Sequence, residues 1–204
     1  NPFNPLYDKT SGGEYPPGSI YKAVVAIAAL QEGVVTTETK VTCPGYYTLG
    51  DQTFHCWERR GHGIVNLRKA LYRSCDVYFY ETGVQLGVDK IAEYALKLGL
   101  GRLPGLRLNT EKAGLIPNSA WKQLTQRVPW TKGDTPNVSI GQGYNLVTPL
   151  QIASLYATIG NGGVVRRPYV VQRITDNVGR EVFREKGSEL WKITDIDPQV
   201  LNTV

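Results

Sequence analysis

The sequence predicts an α/β protein of the α+β type. Capped apolar helical stretches recur between residues 19 and 160, and short strand-like runs flank a tight turn after residue 164. With 204 residues and 41% apolar content, the chain can bury one sizeable core, as one domain. Charged residues make up 20%, and 22 Gly and 12 Pro suit long irregular connections. No apolar run is long enough for a membrane span, and the start does not read as a signal peptide. The opening Asn1-Pro2-Phe3-Asn4-Pro5 reads as the middle of something longer.

Residues 1–18 are rich in Pro, Gly, Asn and Ser and are expected to be extended. Ser19 then starts a helix ending near Gly33, a C-terminal capping glycine. After Lys22 it is apolar on nearly every face, which places it inside the domain. Residues 34–65 show little periodicity and read as a long loop, unusual unless something pins it. Asn66 caps Leu67 to about Arg73; further helices run from about Val77 to Leu86 and from Lys90, after Asp89, to Leu98 before Gly99. Thr148-Pro149 is an N-cap with first-turn proline for Leu150–Ile159, closed by Gly160. Val164–Ile174 and Glu181–Arg184 read as strands around the turn Asp176-Asn177-Val178-Gly179.

The net charge of +5 is spread along the chain, with basic doublets at Arg59-Arg60 and Arg166-Arg167. Nucleic-acid binding calls for a concentrated patch, so the composition argues against it.

Ser19-x-x-Lys22 places a hydroxyl and an amine one helical turn apart on one face. Serine is a poor nucleophile until an adjacent base takes its proton. A lysine serves once burial disfavours its ammonium form, and the apolar residues after Lys22 supply burial. Pro16-Pro17-Gly18 delivers the chain to a helix N-terminus, where backbone N–H groups favour a developing oxyanion. The plain alternative is that Ser19 is an N-cap. Ser119-Ala120-Trp121-Lys122 fits the same pattern, but its polar sequel reads as an exposed helix start.

Context favours the first pair. Tyr15-Pro16-Pro17-Gly18-Ser19-Ile20-Tyr21-Lys22 resembles the first active-site motif of the penicillin-binding proteins, Pro-Gly-Ser-x-x-Lys. Ser74-Cys75-Asp76-Val77-Tyr78-Phe79-Tyr80 resembles their second motif, Ser-x-Asn, in the Ser-x-Asp form typical of the elongation-type class B group, penicillin-binding protein 2. Gly61-His62-Gly63, Pro129-Trp130 with Gly133-Asp134, and Ile140 to Tyr144 followed by Thr148-Pro149 are similar too, in register from about Leu6 to Arg173.

The resemblance implies helices packed on an antiparallel sheet, with the Ser19 helix central. It implies a peptidoglycan D,D-transpeptidase: Ser19 attacks the carbonyl between two D-alanines of a stem peptide, and an amine from a neighbouring stem takes the acyl group. β-Lactams acylate the same serine. Lys22 carries over as base, Ser74 as proton relay to the leaving group, and Asp76 as the group orienting lysine and substrate. The family's third motif, Lys-(Thr/Ser)-Gly on a strand lining the groove, is absent; Lys132-Gly133 and Lys186-Gly187-Ser188 have the wrong spacing and setting. The 204 residues are therefore expected to be a transpeptidase-domain fragment, incomplete at the C-terminus and weakly active or inactive. The family's N-terminal pedestal and membrane anchor are likewise expected to lie outside it. The family works on the periplasmic side of the inner membrane, alongside the glycan polymerase of the elongation complex. Remaining readings are a β-lactamase-like or β-lactam-sensing protein and a zinc-stabilised binding module.

The three cysteines and one of the two histidines are spaced Cys43…Cys56…His62…Cys75. Three thiolates and an imidazole are a normal set for structural zinc, which would pin the 34–65 loop and hold Cys75 rigid between Ser74 and Asp76. Some members of the penicillin-binding protein 2 group carry metal ligands in this region, aspartates among them. A disulfide, or plain buried cysteines, are the competing readings, and His55 could replace His62. Gly141-Gln142-Gly143 lacks the Lys-Ser/Thr of a phosphate-binding loop; by resemblance it lies near the substrate groove.

Overall fold

The computed structural model describes residue 4 and residues 6–204. Residues 1–3 and 5, at the head of the predicted extended segment, lie outside the described residues. All paired strands are antiparallel, and helices form the core.

Helix α1 (Lys22–Gln31) is the centre, with every residue from Lys22 to Ala29 buried. Its alanines let neighbours approach closely while Val24, Val25 and Ile27 fill the gaps. It ends as predicted. Gly33 takes φ +68, and the Val34 N–H reaches back to the Ala29 carbonyl at 2.9 Å, satisfying an orphan helix acceptor. Its start differs from the prediction. Gly18–Tyr21 form a 3-10 turn, so Ser19 precedes the α-helix rather than opening it. Helices α2 (Leu67–Tyr72), α3 (Asp76–Leu86) and α4 (Val88–Lys97) follow, α2 capped by the Asn66 side chain as expected. Both α3 and α4 pack on α1.

The segment 34–65 is not the structureless loop its sequence suggests. Strand β1 (Val41–Cys43) pairs with β4 (Gly63–Val65), and β2 (Tyr46–Leu49) forms a hairpin with β3 (Gln52–His55). Strands of three or four residues are too short to show a two-residue period, and the β1–β4 pairing is non-local.

Helix α5 (Ser119–Gln126) contains the second Ser-x-x-Lys pair. The predicted exposed helix start is only half right: Lys122 is buried against Asp134 at 2.6 Å. Ser119 instead donates its hydroxyl to Asp89 at 2.8 Å. Asp134 ends the 3-10 turn 132–134 that leads into α6 (Thr135–Ser139), which packs on α3.

Helix α7 (Pro149–Gly160) opens with a full capping box between Thr148 and Gln151. The Tyr156 hydroxyl donates to the Ile20 carbonyl at 2.9 Å, joining α7 to the Ser19 turn. The predicted strand 164–174 is split. Strand β5 (Val164–Arg167) stops at Pro168, which lacks the N–H a ladder needs, and β6 (Arg173–Thr175) is separate. The second predicted strand is β7 (Glu181–Arg184), paired with β6 across the predicted turn; β5 pairs instead with β8 (Ser188–Lys192). Helix α8 (Pro198–Thr203) follows and contacts α1 and α7. Among the described residues no helix is long and apolar enough to cross a membrane.

Gly141 has φ +74, and a Cβ there would fall on the Gly18 carbonyl oxygen and 2.6 Å from the Tyr21 Cβ. Gly141→Ala is expected to destabilise the fold by at least about 1–2 kcal/mol from the backbone alone, with the clash against the Ser19 turn added; denaturant unfolding measures it. Partial burial pushes the Asp134 carboxyl up, but hydrogen bonds from Lys122 and Thr131 outweigh it and hold it below the ordinary 3.8. A carboxylate held low stabilises the fold above its unfolded pKa, and that stability fades as pH falls through the folded value. The Tm difference between wild type and Asp134→Asn should therefore be largest near neutrality and shrink below about pH 4.

Candidate active site

Ser19 is exposed on its 3-10 turn, which hydrogen bonds to the rest of the fold from both sides. The Gly18 N–H donates to the Gly141 carbonyl at 2.8 Å, while Ile20 receives Tyr156. One turn on, the Lys22 side chain runs inward and is 1% exposed. Its amine is 3.2 Å from Ser19 Oγ, 2.9 Å from both the Oγ and the carbonyl oxygen of Ser74, and 2.6 Å from Asp76 Oδ1. Ser74 Oγ is 2.8 Å from Ser19 Oγ. The two serines, the lysine and the carboxylate, 57 positions apart at the extremes of the sequence, thus form one connected hydrogen-bonded group.

The local folding explains the convergence. Asp76 is the first residue of α3, so its carboxylate projects at a helix N-terminus, where negative charge is favoured. Ser74, two residues earlier, has the left-handed φ of 52, which turns its carbonyl and hydroxyl toward Lys22. A groove lined by Ala23, Leu71, Tyr72, Ser74 and Tyr156 leads to Ser19. An exposed hydroxyl beside a buried amine, with a second hydroxyl bridging them, can deprotonate a nucleophile and deliver a proton to a leaving group. The second sequence match has none of this, because Ser119 and Lys122 each bind a different aspartate.

Gly141 lies directly behind the Ser19 turn, whereas Gln142 and Gly143 are exposed. The Asn145 side chain holds this loop, donating to the carbonyls of Val138 and Gln142.

Cys43, Cys56, His62 and Cys75 are all buried, with ligand atoms within 4.8 Å of one another. His62 Nδ1 is 3.6 Å from Cys43 Sγ and 3.5 Å from Cys56 Sγ. Zinc bonds of about 2.3 Å to sulfur and about 2.0 Å to nitrogen at tetrahedral angles give N···S edges of about 3.5 Å, so the set fits that ion. The sulfurs are free and converge on a ring nitrogen, which a disulfide would not use. Hydrogen bonding from Cys75 draws the Cys56 thiol down to about 5, and the same contact together with burial pushes Cys75 up. A low-pKa thiolate is ready to bind a cation. His55 is exposed on β3 and stands outside the group.

Sequence reasoning missed Trp57. It follows Cys56, and its backbone N–H donates to Asp76 Oδ2 at 3.0 Å. Its indole N–H lies 3.0 Å from the Ser74 carbonyl oxygen. No periodicity or motif marks it.

Residues 1–204 match the penicillin binding protein transpeptidase domain family. The peptidoglycan D,D-transpeptidase MrdA of Haemophilus influenzae is 39% identical over 172 residues, 83% of this chain and 26% of that protein. MrdA of Acinetobacter baumannii is 42% identical over 170 residues, 82% of this chain and 25% of that protein. The chain therefore spans about a quarter of the length of these curated relatives. The crystal structure of Pseudomonas aeruginosa PBP2 in complex with WCK 5153 superposes with a TM-score of 0.87 at 37% identity, covering 99% of this chain and 45% of that one. With the motif serines, lysine and aspartate gathered at one groove and the match running its full length, this chain belongs to the penicillin-binding protein transpeptidase family.

Proposed function

We propose that this chain carries the nucleophile half of a peptidoglycan D,D-transpeptidase of the penicillin-binding protein 2 type. The observation that carries the reading is the simultaneous reach of one buried amine to Ser19, Ser74 and Asp76. Ser19 Oγ attacks the carbonyl carbon of the penultimate D-alanine of a stem peptide, and its proton passes to Lys22 Nζ. The terminal D-alanine leaves as its amine takes a proton through Ser74 Oγ, and Ser19 keeps the acyl group as an ester. An amine of a second stem peptide then attacks that ester, its proton returns to Ser19 Oγ, and the crosslink forms. Asp76 pairs with Lys22 and orients it toward the two serines. A β-lactam ring opens on the same serine.

Gly141, Gln142 and Gly143 border this centre, with Gly141 setting the position of the Ser19 turn and the exposed Gln142 and Gly143 offered to substrate. Full activity requires a Lys-(Thr/Ser)-Gly wall that these 204 residues do not contain. In the longer protein the domain faces the periplasm from a membrane anchor and serves wall elongation beside a glycan polymerase. The Cys43, Cys56, His62 and Cys75 set holds a structural zinc ion that fixes the strands 41–65 against the second motif.

Mass spectrometry after incubation with excess penicillin is expected to show one adduct, mapped to Ser19, on a chain extended through the third motif and none on its Ser19→Ala variant. The 204-residue chain alone should react more slowly, by on the order of 10²–10³ if it lacks one oxyanion donor. A missing adduct on the extended chain would refute the acyl-serine reading. Metal analysis of protein purified without chelator should give about one zinc per chain, closed by four ligands, and Cys75→Ser should lower both zinc content and Tm. Zinc far below that ratio refutes the metal reading and leaves the acyl-serine reading untouched.

A further inference from the structure

Ser74 is one of three non-glycine residues with positive φ among the described residues, at 52. A serine in this region is strained, and such a conformation persists only where its surroundings over-determine it. Two donors hold the Ser74 carbonyl. Lys22 Nζ approaches from the interior at 2.9 Å, and the indole N–H of Trp57 from the surface at 3.0 Å. The same pair of residues holds Asp76. Lys22 Nζ takes Oδ1 at 2.6 Å and the Trp57 backbone N–H donates to Oδ2 at 3.0 Å. Trp57 therefore duplicates, from outside, the grip that Lys22 exerts from inside.

The two grips differ in one chemical respect. In the acyl-serine reading, on which this inference rests, Lys22 gains and loses a proton, so its contacts with Ser74 and Asp76 change during each turnover. The indole and amide N–H groups of Trp57 are permanent donors and do not titrate. We propose that Trp57 is the positioning residue of the second motif, keeping Ser74 and Asp76 in place while Lys22 exchanges its proton. Its own place is set on two sides. Cys56 precedes it in the chain, and the His62 ring meets it edge-on with centroids 5.4 Å apart. The indole N–H is shared with the Arg73 carbonyl at 3.2 Å, so both peptide units leading into the strained residue are held. Trp57 is 59% exposed, so core packing does not account for a tryptophan here.

Trp57→Phe keeps an aromatic ring beside His62 and the backbone donor to Asp76 but removes the indole N–H. In the full-length protein, the dependence of acylation rate on penicillin concentration separates the noncovalent dissociation constant from the first-order acylation step. Loss of one net hydrogen bond should slow the acylation step about 2- to 12-fold, with the dissociation constant within about twofold and zinc content and Tm unchanged. An unchanged acylation step overturns the proposal, as does a slowed step accompanied by loss of zinc or a lowered Tm, which would make Trp57 a scaffold residue only. The wild-type protein is the control. Its failure to acylate removes the acyl-serine reading and this inference together, whereas normal wild-type acylation with an unaltered variant removes this inference alone.

Discussion

Burying the amine of Lys22 is the constraint on which the rest of this structure depends. It sits at the head of a helix whose next seven residues are buried and apolar or small. An isolated ammonium group there would carry a prohibitive desolvation cost. Asp76 and the two oxygens of Ser74 cover it. Removing one partner of such a pair typically costs about 3–5 kcal/mol, because the other charge is left buried alone. The need to deliver that carboxylate fixes where α3 begins and how it lies on α1. It also explains why Ser74 is held in a conformation a serine otherwise avoids. The groups that keep the fold intact are thus the same ones that surround the Ser19 hydroxyl.

The strands between 41 and 65 are too short to stand alone. Two-stranded sheets of three or four residues are marginal in water, and more than half of their side chains are exposed. Val41, Val65 and Phe54 pack against the helical core, but the buried anchor specific to this region is the cysteine–histidine group. Its members come from β1, from the segment after β3, from the turn before β4 and from the N-cap of α3. Cys75 lies between Ser74 and Asp76, so whatever rigidity that group has passes directly to the second motif. Trp57, adjacent to Cys56, adds a second path between the same two places.

The two Ser-x-x-Lys pairs show how little a spacing decides. Both lysines are buried and both make 2.6 Å contacts with an aspartate. Lys122 lies over the rings of Trp130 and Tyr144 and meets no serine hydroxyl. Lys22 meets two. The difference is the 3-10 turn before α1, which places the Ser19 hydroxyl over the amine and at the surface, whereas the Ser119 hydroxyl is spent on Asp89.

Local chemistry by itself determined α1 to α4 and α7, the caps at Asn66 and Thr148, the glycine stop at Gly33, and the 176–179 turn, because each depends on residues a few positions apart. It also singled out Ser19 with Lys22 and grouped the cysteines with His62, through residue type, spacing and motif resemblance. The strands between 41 and 65 were not legible, nor was the break at Pro168 with the pairing of β5 to β8, since their partners are distant in the chain. Only the tertiary structure decided which serine hydroxyl lies beside a buried amine, that Trp57 hydrogen bonds to the second motif, and that three cysteines and a histidine distant in sequence converge. Those outcomes follow from the packing of α3 against α1, which sets distances that no spacing along a chain contains.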